Sequence, residues 1–240
     1  ESRSQYLSAI ELEKLVEKMK RGEVVDYSRI TEIIGKAQQG SSEGISASQI
    51  VPRKVPFVSS GIPWIDNHLG GIPSAGLVLV AGAPKTGKTS WAILLAISFL
   101  KAHPDKIIGF FSLEMLGDEL VMRIKEIDSR VDNDVLDRFI IFDEWLDEHG
   151  IINKAATLEN LGMVIIDFAD YLVRGESSES KYSMMYINLS IGAKSLHAPI
   201  VLLAQPNRSY SGGIPRPNHV RYTGLAEATA WMELMLWNPL

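Results

Sequence analysis

The chain has 240 residues, 46% of them hydrophobic and 22% charged, which is enough apolar side chain for one large buried core and a smaller appendage. Lys and Arg number 24 against 29 Asp and Glu, a formal net charge of −5, so the protein is not coated in basic charge. A local nucleic-acid site stays open, because affinity follows the charge near the phosphates. The chain has no cysteine, which excludes disulfides, thiolate zinc sites, iron–sulfur clusters and a cysteine nucleophile.

The first residues, ESRSQYLSAIELEK, lack the basic end and apolar stretch of a signal peptide, and Glu rather than Met at position 1 reads as a piece of something longer. Residues 8–20 have helical spacing: Ser8 and Glu11 form a capping-box pair, and Leu12, Leu15, Val16 and Met19 follow at i, i+3, i+4 and i+7. Ile30, Ile33, Ile34 and Ala37 repeat the pattern, and GSSEGISAS (40–48) reads as a flexible linker. Residues 1–50 are therefore expected to be an amphipathic helical linker. It either folds back on the domain that follows or docks on a neighbouring subunit.

From residue 51 to 240 the pattern is that of one domain with β-α alternation. Strands are expected over 77–82, 106–114, 138–142, 163–167 and 199–205, with a further one over 231–237. Helices are expected over 88–100, 117–128, about 152–160 and 184–196. The run Ser90–Leu100 is too short to span a bilayer. Short, continuously apolar strands point to an α/β fold whose mostly parallel sheet is covered by helices on both faces.

GAPKTGKT, Gly82 to Thr89, satisfies G-x-x-x-x-G-K-S/T between an expected strand and an expected helix. Gly82, Ala83, Pro84, Lys85, Thr86, Gly87, Lys88, Thr89 and Ser90 are the candidate nucleotide-binding residues. The glycines let backbone N–H groups curl around phosphate oxygens, at a helix end that favours anions. Lys88 supplies charge to the β- and γ-phosphates, and the Thr89 hydroxyl can ligate Mg²⁺. Asp167, at the end of MVIID, fits the acidic metal partner, with Asp170 as the weaker competitor and a turn Asp as the plainer reading. Glu114, at the end of KIIGFFSLE, would share the ligand-binding edge of the sheet and could activate water, or simply cap the next helix. Gln205, after PIVLLA, could sense the γ-phosphate or make ordinary backbone hydrogen bonds.

The segment 206–223 holds Arg208, Arg216, Arg221, His219, Tyr210 and Tyr222, with no Asp or Glu. A basic, aromatic-bearing loop suits a phosphate backbone or a single strand, and an ordinary solvated loop fits equally well. Segment 173–182 carries Arg174 and Lys181 against Glu176 and Glu179, a neutral balance. The five histidines have no metal-ligand spacing, and no G-x-S-x-G supports hydrolase chemistry.

GIPWIDNHLGGIPSAGLVLVAGAPKTGKTS resembles the entry into the RecA-type ATPase core of recombinases, KaiC-like proteins and replicative hexameric helicases. FFSLEM (110–115), Arg123, SRVD (129–132) and AKSLHAPIVLLAQPNRS (193–209) are similar to the DnaB-type helicases in particular, with a looser echo in GLAEATAWMELMLW (224–237). The resemblance implies a RecA-like fold, ATP and Mg²⁺ as cofactors, and Glu114 as the base that acts on water. It also implies that Lys88 and Thr89 hold phosphate and metal, that Asp167 is the Walker B residue and that Gln205 is the γ-phosphate sensor. The loops after Asp167 and Gln205 would hold single-stranded DNA, with Arg208, Arg216 and Arg221 as nucleic-acid contacts. The partners implied are a homo-oligomeric, hexameric ring and a primase or helicase loader, in a bacterial cytoplasm that hosts a cellular, phage or plasmid protein. Helix 8–20 would resemble the linker helix that docks on the adjacent subunit.

The chain departs from the family in three places. Asp167-Phe168-Ala169-Asp170 stands where the family has Asp-Tyr-Leu-Gln. The family's C-terminal basic motif, with its arginine finger, and its N-terminal helical domain are not in this sequence. The stretch between 142 and 163 is short. The leading expectation is an ATP-driven helicase motor of DNA replication. A filament-forming recombinase and a nucleotide-dependent regulatory or assembly ATPase are the alternatives.

Overall fold

Side chains alternate across a strand, so a run such as LVLVAG can lie in a sheet only if both faces are covered. The computed structural model describes residues 57–173, 179–207, 210, 212–216, 219–220, 226 and 228–238. A short antiparallel ladder, β1 (Phe57–Val58) with β2 (Ile72–Pro73), flanks helix α1 (Pro63–Leu69). Then come β3 (Leu77–Gly82), α2 (Lys88–Ala102), β4 (Ile107–Ser112), α3 (Gly117–Ile127), α4 (Asn133–Asp137) and β5 (Phe139–Phe142). After these come α5 (Glu148–Ala156), β6 (Leu161–Asp167), a 3₁₀ turn (Ala169–Tyr171), α6 (Glu179–Leu196), β7 (Ile200–Ala204) and β8 (Ala230–Leu236).

Six strands form one sheet in the order β5-β4-β6-β7-β3-β8, and every pairing is parallel. The alternation divides the apolar runs between two cores. Val78, Val80, Ile108, Phe110, Ile165 and Val201 face α2, α3 and α4, while Leu77, Leu79, Phe111, Val164, Ile166 and Leu202 face α5 and α6. The expected α/β fold with helices on both faces is what forms. The helices expected before residue 40 and the linker at 40–48 lie outside the described residues.

Three expected boundaries shift, each for a local reason. Helix α5 starts four residues earlier than the pattern suggests, because Asp147 caps it by accepting from Gly150 N at 2.8 Å. It stops at Ala156, where the Thr157 hydroxyl donates to Lys154 O, and Asn160 at φ 57° then turns the chain into β6. Helix α6 begins at Glu179 rather than 184. Strand β4 ends at Ser112, not Glu114, because the Ser112 hydroxyl donates to Met115 O at 2.7 Å and bends the chain.

The order places β6 and β7 between β3 and β4, so the connection through α2 crosses two strands. Parallel strands share one carboxyl edge, where an open α/β sheet binds ligands. The ends of β3, β4, β6 and β7 deliver the P-loop, the Glu114 bend, Asp167 and Gln205 to that edge.

Candidate nucleotide site at the carboxyl edge of the sheet

The P-loop runs from Gly82 at the end of β3 into the first turn of α2. A β-carbon at Gly82 would lie 2.6 Å from the Thr86 hydroxyl and 2.9 Å from Leu236 O, so only glycine fits between the loop and β8. Gly87 is the N-cap of α2 at φ 90°, a conformation glycine adopts without strain, and it offers no side-chain cap. The first N–H groups of α2 therefore point into the loop without a capping oxygen, as an anion site requires. Thr86 closes the loop by donating to Ala83 O through its hydroxyl (2.8 Å) and its N–H (3.3 Å).

Lys88 is only 9% exposed, and its ammonium donates to Gly82 O at 2.8 Å and Ala83 O at 3.0 Å. Burial pulls its pKa below the usual lysine value, opposed by the carboxylates of Asp167, Glu114 and Asp170. Thr89 donates to Asp167 Oδ2 at 2.7 Å. Asp167 is 2% exposed, and its carboxyl is pushed up to about 6, first by burial. The charge of Glu114 adds to the shift, while the Thr89 hydrogen bond, Lys88 and Arg123 oppose it. A buried carboxylate held against a threonine hydroxyl supplies two hard oxygen ligands, a set that fits Mg²⁺ arriving with phosphate oxygens.

Leu113 N donates to Asp167 O at 2.8 Å, stitching the end of β4 to the end of β6. The bend that follows leaves Glu114 exposed and close enough for its charge to act on both Asp167 and Lys88. Asp170 sits in the 3₁₀ turn and accepts a short hydrogen bond from the Tyr182 hydroxyl of α6. This pairing was invisible in the sequence, where the two residues stand 12 apart across a polar segment with no periodicity to link them.

Gln205, half-buried, follows β7 directly. The segment after it is held together at its base. Pro206 and Val220 form an antiparallel bridge, and Asn207 N donates to His219 O at 2.7 Å. Tyr210 packs on His219 with ring centroids 5.2 Å apart. Arg216 is exposed, and its N–H donates to His219 Nδ1 at 3.0 Å. Arg208, Arg221 and Tyr222 lie outside the described residues.

This geometry can be set beside known proteins. Residues 58–148 match the DnaB-like helicase C-terminal domain. The chain is 28% identical over a 191-residue alignment to the replicative DNA helicase DnaB of Rickettsia conorii, which covers 63% of this chain and 38% of that protein. A probable replicative DNA helicase of Trieres chinensis is 24% identical over 218 residues, covering 75% of this chain and 47% of that one. The chain thus spans less than half the length of these relatives.

Two solved structures share the fold. The ATPase domain of G40P superposes with a TM-score of 0.64 at 19% identity, over 90% of this chain and 84% of that one. A DnaB-like replicative helicase studied for its interactions with primase gives 0.71 at 18% identity, over 98% and 67%. The fold is the RecA-like α/β architecture of DnaB-type ATPase domains. The DnaB-like match takes in the P-loop, the Glu114 bend and Arg123, and ends before β6.

Proposed function

We propose that this chain is the ATP-hydrolysing motor domain of a DnaB-type helicase, acting as a homo-oligomeric, hexameric ring that moves single-stranded DNA during replication. The observation that carries the reading is the convergence of Lys88, Thr89, Asp167 and Glu114 at one sheet edge, with Thr89 and Asp167 already 2.7 Å apart. Bound Mg-ATP supplies the phosphoryl group and a divalent charge. The chain's own residues do the rest. The P-loop N–H groups and Lys88 bind the phosphates, and Thr89 and Asp167 hold the metal. Glu114, the exposed carboxylate of the set, orients water and takes its proton. Gln205 couples the site to the segment opened by the Pro206–Val220 bridge, where Arg208, Arg216 and Arg221 face DNA phosphates. A primase or helicase loader would meet other parts of the ring, in a bacterial cytoplasm. No helix among the described residues is long and apolar enough to cross a membrane.

ATP turnover by the full-length assembled protein, with and without single-stranded DNA at two salt concentrations, tests this reading. Stimulation by DNA that fades with salt is expected. Robust turnover indifferent to DNA would place the chain with regulatory ATPases instead. Glu114→Gln should bind ATP at near wild-type affinity and turn it over at least about 100-fold more slowly, the loss typical of a missing general base. Equal loss of binding would make Glu114 a structural residue.

A further inference from the structure

We propose that the Lys85 side chain is a second phosphate-directed cation of the P-loop, raising affinity for the triphosphate tail. This deepens the reading of Gly82–Ser90 as an ATP site and rests on it.

The argument starts from a turn. Ala83-Pro84-Lys85-Thr86 is closed by the Thr86 N–H and hydroxyl, both donating to Ala83 O. Pro84 occupies the second position, where proline is favoured, and Lys85 the third, with φ 65°. A turn with positive φ at its third residue calls for glycine or asparagine. Of the three described non-glycine residues with positive φ, Asn160 and His197 are of types enriched there, and Lys85 is not. The backbone thus carries a strained lysine where glycine would relax it, at the crown of the loop that meets the ligand. A strained residue at such a place signals a role for its side chain.

Charge then says which role. Lys88 is buried, already donates to two carbonyls, and faces three carboxylates: Asp167, Glu114 and Asp170. Lys88 and Arg123 are two cations against these three acids, which leaves the site short of positive charge for an incoming polyanion. Lys85 is exposed, and no carboxylate among the described residues lies within ion-pair distance of it. Its ammonium is the remaining uncommitted cation of the loop, on a stem long enough to swing to the phosphates without moving the backbone.

The test uses the full-length assembled protein with ATP and ADP as calorimetric probes, beside the melting temperature of the nucleotide-free protein. Lys85→Gly should melt no lower than wild type, because it removes the left-handed strain. It should bind ATP about 10-fold more weakly at low salt, with the gap closing toward about 2-fold near 0.5 M salt. KM should rise with kcat nearly unchanged, and Lys85→Arg should restore most of the affinity. Lys85→Asn, which also tolerates the turn, repeats the measurement if the glycine variant melts early. Wild-type affinity for ATP at low salt in whichever variant folds would overturn the proposal. Lys88→Ala separates the two levels. Lost turnover there beside an unaffected Lys85→Gly would sink only this inference, whereas retained turnover in Lys88→Ala would remove the ATP site on which it rests.

Discussion

At the scale of single residues, the site stores an electrostatic cost that a ligand relieves. Asp167 titrates near 6 in the folded protein against 3.8 for the free side chain. The folded state therefore binds a proton more tightly than the unfolded chain does. Below about pH 4 both states are protonated and the penalty is absent; it grows through pH 4–6 and is complete above about 6. Asp167→Asn should accordingly stabilise the nucleotide-free, metal-free protein by about 1–3 kcal/mol at pH 7.5, and by much less at pH 4.5. Urea titrations at the two pH values measure this, and equal gains at both would show that the carboxylate carries no such penalty. The same variant should lose Mg²⁺-dependent turnover, since Asn retains an acceptor for Thr89 but no charge. The P-loop and the Asp167 strand end were legible in the sequence because each is a short contiguous string. The Tyr182–Asp170 bond and the Leu113–Asp167 stitch were not, because tertiary packing alone brings those residues together.

At the scale of elements, the apolar runs made the strands legible, and the P-loop fixed where α2 begins. Helix ends were legible only where an apolar period stopped at them. Asp147 and Asp132 cap α5 and α4 through Gly150 N and Val135 N, and neither cap was read, so α5 was displaced and α4 missed. Arg138 went unread as well, although it ties α2 to the next layer. Its guanidinium donates to Leu100 O, His103 O and Lys106 O at 2.9–3.1 Å, and pairs with Asp134 at 2.7 Å. Two carbonyls at the C-terminus of α2, and a third just before β4, thereby gain a charged donor. Arg138→Ala should cost about 2–3 kcal/mol, more than a surface ion pair is worth, because partly buried carbonyl acceptors lose a charged donor. Asp147→Ala should cost about 1 kcal/mol. If chemical denaturation ranks the two variants the other way, the guanidinium is not what holds the end of α2.

At the scale of the whole molecule, the strand order makes binding at one edge consequential at another point. Strands β6 and β7 are neighbours between β4 and β3, so Asp167 and Gln205 end adjacent strands. The connections leaving those two ends run from 168 to 178 and from 205 to 229. On the proposed reading, a change at the phosphates would reach both connections through the buried carboxyl ends of β6 and β7. That gives the loops a shared input, yet it does not by itself make them a DNA site in a protein of net charge −5. Charge local to the 206–223 segment has to do that work, and three arginines without a nearby acid on the same segment are what it offers. Each phosphate contact on a single strand contributes about 0.7 to the slope of log K against log salt. Replacing Arg208, Arg216 and Arg221 together by Gln should flatten that slope by about 2 for each engaged subunit of the assembled protein. Fluorescence anisotropy with a labelled oligonucleotide across a salt series measures it. An unchanged slope would move the DNA contact to another surface, and no salt dependence in the unmodified protein would remove DNA from the function altogether.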